Sequence, residues 1–282
     1  MDPRRAPPAR LPLPLNGPPP TGTNTTAAHP SGTHRASSFL VRGLFAGLVA
    51  GVVTFVVSYV VGEPALNAAI GLEPSDHAHG EVAVREGTQV SRTLQSTLGL
   101  LTGTTVVGVT LGGVLGVLSA LAVGRFGGLS ARASTLAVTA VGFGACYLLP
   151  TLAYPPNPPG VGRGETITIR TTLYFLIVAI SVVAAVAAVL AGRALAPRWG
   201  SWYATMTAAV GYLVVTLIAV ALLPTANEVP ADYPAVVLYE FRRASFLTQL
   251  TLWAVLGVVL ADLVHRLMSR TRQPAAAGPG AP

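Results

Sequence analysis

Six apolar runs, each close to the roughly 20 residues that a helix needs to cross a bilayer, constrain this chain more than anything else in it. They lie at 39–62, 94–123, 133–153, 172–192, 201–223 and 246–267. Only 10% of the 282 residues are charged while 51% are hydrophobic; a soluble domain carries about 25% charge. Inside hydrocarbon every backbone polar group must be satisfied within its own segment, so runs of this length read as helices. The expected fold is an all-α integral membrane protein, a bundle of about six transmembrane helices spanning 39–268, multi-pass in a membrane.

The flanks read differently. Residues 1–38 are rich in Pro, Arg, Thr and Ser around "PLPLNGPPPTGTNTT" and bury too little apolar surface to offset ordering entropy, so they are expected as a disordered cytoplasmic tail. Residues 269–282 are expected as a flexible tail. Arg4 and Arg5 suggest a twin-arginine signal, but no apolar stretch follows closely enough.

Arginine distribution sets the expected orientation. With the amino terminus inside, twelve of the eighteen arginines fall on cytoplasmic segments, and nine of the eleven acids fall on the outer loops. Both termini are therefore expected in the cytoplasm. A basic balance of this kind reflects membrane topology, and nucleic acid is not an expected partner. The chain has no lysine, which removes Schiff-base chemistry and a phosphate-cradling Walker lysine. Its single cysteine, Cys146, lies within an apolar run and reads as a small buried hydrophobe.

Two helices carry glycine at every fourth position: Gly43, Gly47 and Gly51 on the first, Gly108, Gly112 and Gly116 on the second. That spacing clears one stripe of side chains and lets backbones approach. Ordinary helix packing, a sliding seam and a dimerising seam all remain open at this point.

The outer connections hold the chemistry-bearing residues. "GEP" places Glu63 at the membrane boundary, and "SDHAHGEVAVRE" brings Asp76, His77, His79 and Glu81 together. Neutral imidazole suits divalent Co, Ni, Zn and Cu, and an i, i+2 pair on extended chain can reach one ion. Two histidines make a capture point rather than a cage. "YPPNPPGVG" is stiffened by its prolines and reads as a turn or a rigid plug. Glu228, Asp232, Glu240, Arg242 and Arg243 are expected to pair among themselves. Asp262 lies within the last run, where a charge is costly and faces a cavity or pairs with Arg266 one turn away. The candidate metal ligands are thus His77, His79, Asp76, Glu81, Glu63, Glu228 and Asp262; no catalytic or cofactor-binding residues are expected, and no pattern in the spans reads as an enzyme's.

The strings "GEPALNAAIGLE", "HAHGE", "SRTLQSTLGLLTG", "GRFGG", "LLPTLAYPPNPPGVGRGETITIRTTLYF" and "LLPTANEVPADYPAVVLYEFRRAS" resemble the CbtA family, the probable cobalt transporter subunit of bacteria, from about residue 40 to 267. The resemblance implies a membrane subunit of a cobalt (divalent metal ion) transporter in the cytoplasmic membrane, with Co²⁺ or Ni²⁺ as the transported ion and no tightly bound cofactor. It also implies a partner, a small single-span histidine-rich subunit called CbtB. In this reading His77, His79, Asp76 and Glu81 capture metal, Glu63 and Glu228 line the entrance, and Asp262 accepts the ion near the exit. The alternatives are a permease for another small solute and a non-transporting membrane scaffold.

Overall fold

A computed structural model describes residues 32–72, 91–125, 128–162, 164–224 and 228–272, and among them the chain is helical with no strand. Helix α1 (Gly32–Val57) passes through a π-helical turn, Ser58–Gly62, into α2 (Glu63–Ile70). A short α3 (Arg92–Leu94) continues through a second π-turn, Gln95–Gly99, into α4 (Leu100–Ala122). Then α5 (Ala131–Phe143), a third π-turn at Gly144–Leu148 and α6 (Leu149–Ala153) form one further rod. A 3₁₀ turn, Gly164–Thr166, opens α7 (Ile167–Leu222), and α8 (Ala235–Arg272) closes the bundle.

Among the described residues five helical stretches are long and apolar enough to cross a membrane: Ala36–Ile70, Arg92–Ala122, Ala131–Ala153, Gly164–Leu222 and Ala235–Arg270. The runs expected at 172–192 and 201–223 share the fourth. A straight helix of 56 residues would be about 84 Å long against hydrocarbon about 30 Å thick. It is not straight. Gly200 has φ 77° and ψ 155°, a left-handed geometry that breaks the helix and that L side chains resist. The two arms fold back antiparallel, because the Ser181 and Tyr212 hydroxyls lie 2.8 Å apart although 31 residues separate them. Trp199, Trp202 and Tyr203 stand exposed at the bend, where amphipathic rings suit a membrane–water boundary.

The glycine stripes meet each other. Gly43 lies against Gly112 and Gly47 against Gly108, so α1 and α4 run antiparallel with their backbones in contact. A Cβ on Gly51 would sit 2.7 Å from the Thr104 carbonyl oxygen, closer than real carbons come. The stripes are therefore a packing seam within one chain. Helix α8 lines the rest of the core with Leu252, Leu256, Leu260 and Val264, one residue per turn, against Phe39, Ala46 and Ala50 of α1 and Leu115 of α4. Helix α5 joins through small residues: Thr139 packs on Gly257, and the Trp253 ring fills the space over Gly142.

Large apolar side chains cover the outside, among them Val60, Leu98, Phe175 and Leu222, each more than half exposed. In water this surface would drive aggregation; in lipid it is simply the wall of a multi-pass membrane protein.

The antiparallel order sorts the charges by end. One end gathers Glu63, Arg92, Glu165, Arg170, Glu228, Asp232, Glu240, Arg242 and Arg243; the other holds Arg42, Arg125, Arg132, Arg193, Arg198, Asp262, Arg266 and Arg270. The first is called here the acid-bearing end and the second the arginine-rich end.

Candidate functional site at the acid-bearing end

Three connections that lie far apart in sequence converge at the acid-bearing end. Glu63 opens α2 directly above the first π-turn. Its carboxylate accepts a 2.5 Å bond from the Arg92 guanidinium, which also donates to Asn67 Oδ1 at 3.2 Å. The carboxylate is the enclosed partner: Glu63 is 12% exposed and Arg92 41%.

Glu228 is held at the start of α7. The Thr166 hydroxyl donates to it at 2.8 Å, and Arg170 Nε lies 3.6 Å from the same oxygen. A carboxylate beside the first turn of a helix also meets the positive end of the helix dipole. Arg170 in turn fills the space over Gly162, whose φ of 105° already excludes most side chains. The backbone conformation alone favours glycine there.

The proline-rich segment is built into this end rather than looped over it. Pro158 is fully buried and Val161 is 6% exposed. Arg242 of α8 donates to the Pro156 carbonyl at 3.3 Å and to Asn157 Oδ1 at 2.8 Å. The Tyr154 hydroxyl donates to the Pro224 carbonyl at 2.8 Å, and burial pushes its phenol pKa up, favouring the protonated donor. Prolines cannot donate to neighbouring carbonyls, so side-chain donors from elsewhere supply the bonds.

Two cavities flank this segment. One, of about 460 Å³, lies between it and α7, and its polar lining includes Tyr154, Asn157, Arg170 and Tyr174. The other, of about 360 Å³, lies between the first π-turn, α2 and α8 below Glu63. Tyr147 and Pro156 belong to both walls.

The seven candidate ligands are not all in view. Asp76, His77, His79 and Glu81 lie outside the described residues. Glu63 and Glu228 share one end of the bundle, each committed to a different arginine. Asp262 is at the opposite end, clasped by Arg132 at 2.7 Å and Arg266 at 2.6 Å. Among the described residues no three His, Cys, Asp or Glu side chains come together as a metal cluster. The acid–arginine pairs expected among residues 228–243 form only in part. Arg243 pairs with Glu240, while Arg242 serves the proline segment and Glu228 turns to Arg170.

Sequence reasoning identified the acids but not their holders. The Asp262–Arg266 spacing was readable as a helical turn; Arg132, 130 residues away, carried no such signal. Arg92 and Arg170 likewise stand beside Glu63 and Glu228 only because the fold brings them together.

Residues 36–265 match the model of a family described as "Probable cobalt transporter subunit (CbtA)". No curated protein and no solved structure matches the chain.

Proposed function

The chain belongs to the CbtA family, and from that premise we propose how a membrane subunit of a cobalt transporter uses this bundle: it takes Co²⁺ at the acid-bearing end and passes it toward the arginine-rich end. The observation that carries the reading is the pair of enclosed carboxylates, Glu63 and Glu228, 12% and 13% exposed, at one end of a lipid-facing bundle, with Glu63 lining a cavity there. An acidic, recessed surface raises the local concentration of a divalent cation. The arginine asymmetry supports an outward orientation for this end, with the arginine-rich end in the cytoplasm.

His77 and His79, with Asp76 and Glu81, are the proposed capture group ahead of the bundle, where imidazole favours Co²⁺ and Ni²⁺ over harder ions. Glu63 and Glu228 receive the ion at the bundle mouth. Asp262 enters this proposal as a latch between α5 and α8, because two arginines already occupy its carboxylate. The family description makes the chain a subunit, so a partner belongs to the assembly; the partner proposed is a small single-span, histidine-rich CbtB-like protein in a bacterial cytoplasmic membrane.

The test is uptake of radiolabelled cobalt and nickel by cells carrying or lacking the chain, with and without that partner. Uptake should depend on the chain. It should fall when His77→Ala and His79→Ala are combined, and fall further with Glu63→Gln. Uptake equal in cells with and without the chain refutes transport and leaves a scaffold. Uptake insensitive to cobalt and nickel but sensitive to another solute refutes the choice of cargo.

A further inference from the structure

Helices rarely contain π-turns, and those that occur collect at functional sites. Three occur among the described residues, marked by the backbone bonds Glu63 N–H to Ser58 O, Leu100 N–H to Gln95 O and Leu149 N–H to Gly144 O. They belong to three different rods, yet two of them line the same 360 Å³ cavity and the other ends beside it. The first contributes Ser58, Gly62 and Glu63, the second delivers Leu100 just beyond it, and the third contributes Tyr147.

The inserted residue has a definite geometric effect. Residues five apart on an α-helix are about 140° apart around its axis. A bond from residue 63 to residue 58 winds that stretch into one wide turn and stacks the two nearly above each other. Ser58 and Glu63 consequently line one cavity. Across from them α8 presents Ser245, Thr248 and Gln249, spaced three and four residues apart on one helical face. The Ser58 hydroxyl donates to Thr248 Oγ1 at 3.3 Å. Tyr147, 9% exposed, lines the same cavity.

The donor set is therefore all oxygen: one carboxylate, three aliphatic hydroxyls, an amide and a phenol. Oxygen donors with room for retained water suit divalent cations. A volume of 360 Å³ admits an ion with part of its hydration shell, since liquid water takes about 30 Å³ per molecule. A single carboxylate holds such an ion loosely, which conduction requires because the ion must also leave.

Arg92 stands in the way. Its guanidinium reaches Glu63 from the exposed side and competes with a cation for the same carboxylate. Asn67 offers it a neutral acceptor outside the cavity. We propose that this cavity is a divalent-cation site in which Co²⁺ displaces Arg92 from Glu63 and is held by that carboxylate with Ser58, Ser245, Thr248 and Gln249. Arg92 is the competing counter-charge that sets the threshold for binding. The inference deepens the cobalt reading above and rests on it.

The test uses the purified full chain in lipid nanodiscs, titrated with Co²⁺ by calorimetry. His77→Ala and His79→Ala are present throughout, so that capture outside the bundle does not mask the cavity. Removing the competitor with Arg92→Gln should tighten binding by about tenfold, as expected when a neighbouring cation no longer opposes the ion. Glu63→Gln should abolish binding, Thr248→Val should weaken it several-fold, and Glu240→Gln, outside the cavity, should leave it unchanged. A gain of affinity cannot come from a chain that fails to fold, so Arg92→Gln is the decisive variant. Affinity unchanged in both Arg92→Gln and Glu63→Gln, or weakened equally in both, overturns the site and leaves the ion pair as scaffold. Cobalt uptake by cells carrying the otherwise unaltered chain separates the two levels. If uptake depends on the chain while these variants bind normally, only the cavity is lost; if it does not depend on the chain, the transporter reading itself fails.

Discussion

Alanine at two glycines of α4, five residues apart, should change stability in opposite directions. At Gly103 a Cβ meets nothing within 4 Å; at Gly108 it would stand 3.0 Å from both Cα and N of Gly51 and overlap the Gly47 carbonyl oxygen. Non-bonded carbons sit about 3.5–4.0 Å apart, so α1 and α4 must separate by about 1 Å to admit it. A gap of that size forfeits a quarter to a half of each contact worth about 0.1–0.2 kcal/mol, so over on the order of twenty pairs the seam loses about 1–2 kcal/mol. Residual overpacking adds about 1–2 kcal/mol. Alanine's better helix propensity returns about 1 kcal/mol at either site. Gly108→Ala should therefore destabilise by about 2 kcal/mol and Gly103→Ala should be neutral or stabilise slightly. The assay is reversible unfolding in mixed micelles with rising SDS, followed by far-ultraviolet circular dichroism. Equal stabilities for the two variants would refute the seam. Gly43→Ala combined with Gly112→Ala supplies a second check: these residues face each other, so once the helices part for one methyl group the second should add less than its separate cost.

Other parts of the fold answer to the same unfolding measurement. Ser181→Ala or Tyr212→Phe should each lose about 1 kcal/mol by breaking the bond that ties the arms of α7, with the double variant no worse than either alone; additive losses would mean the two hydroxyls do not act as a pair. Gly200→Ala should cost about 1–3 kcal/mol, the penalty of placing a Cβ in a positive-φ, extended-ψ conformation that only glycine readily adopts, and an unchanged unfolding curve would contradict the bend. Asp262→Asn should weaken the α5–α8 latch only modestly, and raised salt should shrink the difference from the parent chain because the partners are solvent-accessible. A fall in cobalt uptake beyond the loss of folded protein would instead make Asp262 a ligand.

What the sequence made legible was whatever repeats along one helix. Apolar runs predicted the rods, and the glycine spacing marked a close-packing face. That Gly47 would find Gly108 was not readable, since a stripe of hydrogens specifies a surface and not its mate. The bend was half visible: the short polar break before residue 201 separated two runs, and the structure shows how little chain the turn between the arms of α7 needs once Gly200 takes a positive φ. The π-turns left no signal, because an i→i+5 bond differs from i→i+4 by one residue of winding and is selected by neighbouring rods. The arginine partners were hidden for the same reason. Arg132 lies 130 residues from Asp262 in sequence but 2.7 Å away in the fold.

The choice of arginine bears on which ions can pass. All three described carboxylates singled out as ligands are held by guanidinium groups, and the chain offers no lysine for the purpose. A guanidinium is planar and weakly hydrated, so it loses little by staying on a carboxylate and gains little by returning to water. A monovalent ion arriving at Glu63 brings the same charge as Arg92 and must shed more tightly held water to replace it. A divalent ion at the same distance interacts twice as strongly with the carboxylate, and by keeping part of its hydration shell in the cavity it limits its larger dehydration cost. The enclosed position of Glu63 magnifies that difference, because charge interactions are less screened away from bulk water. An arginine-held carboxylate thus discriminates by valence before any ligand preference among divalent metals applies. Within that class, imidazoles at His77 and His79 would supply the bias toward cobalt and nickel that an all-oxygen cavity lacks. In the proposed scheme the two groups would do different work: the loop would select the metal, and the cavity would exclude the abundant monovalent ions.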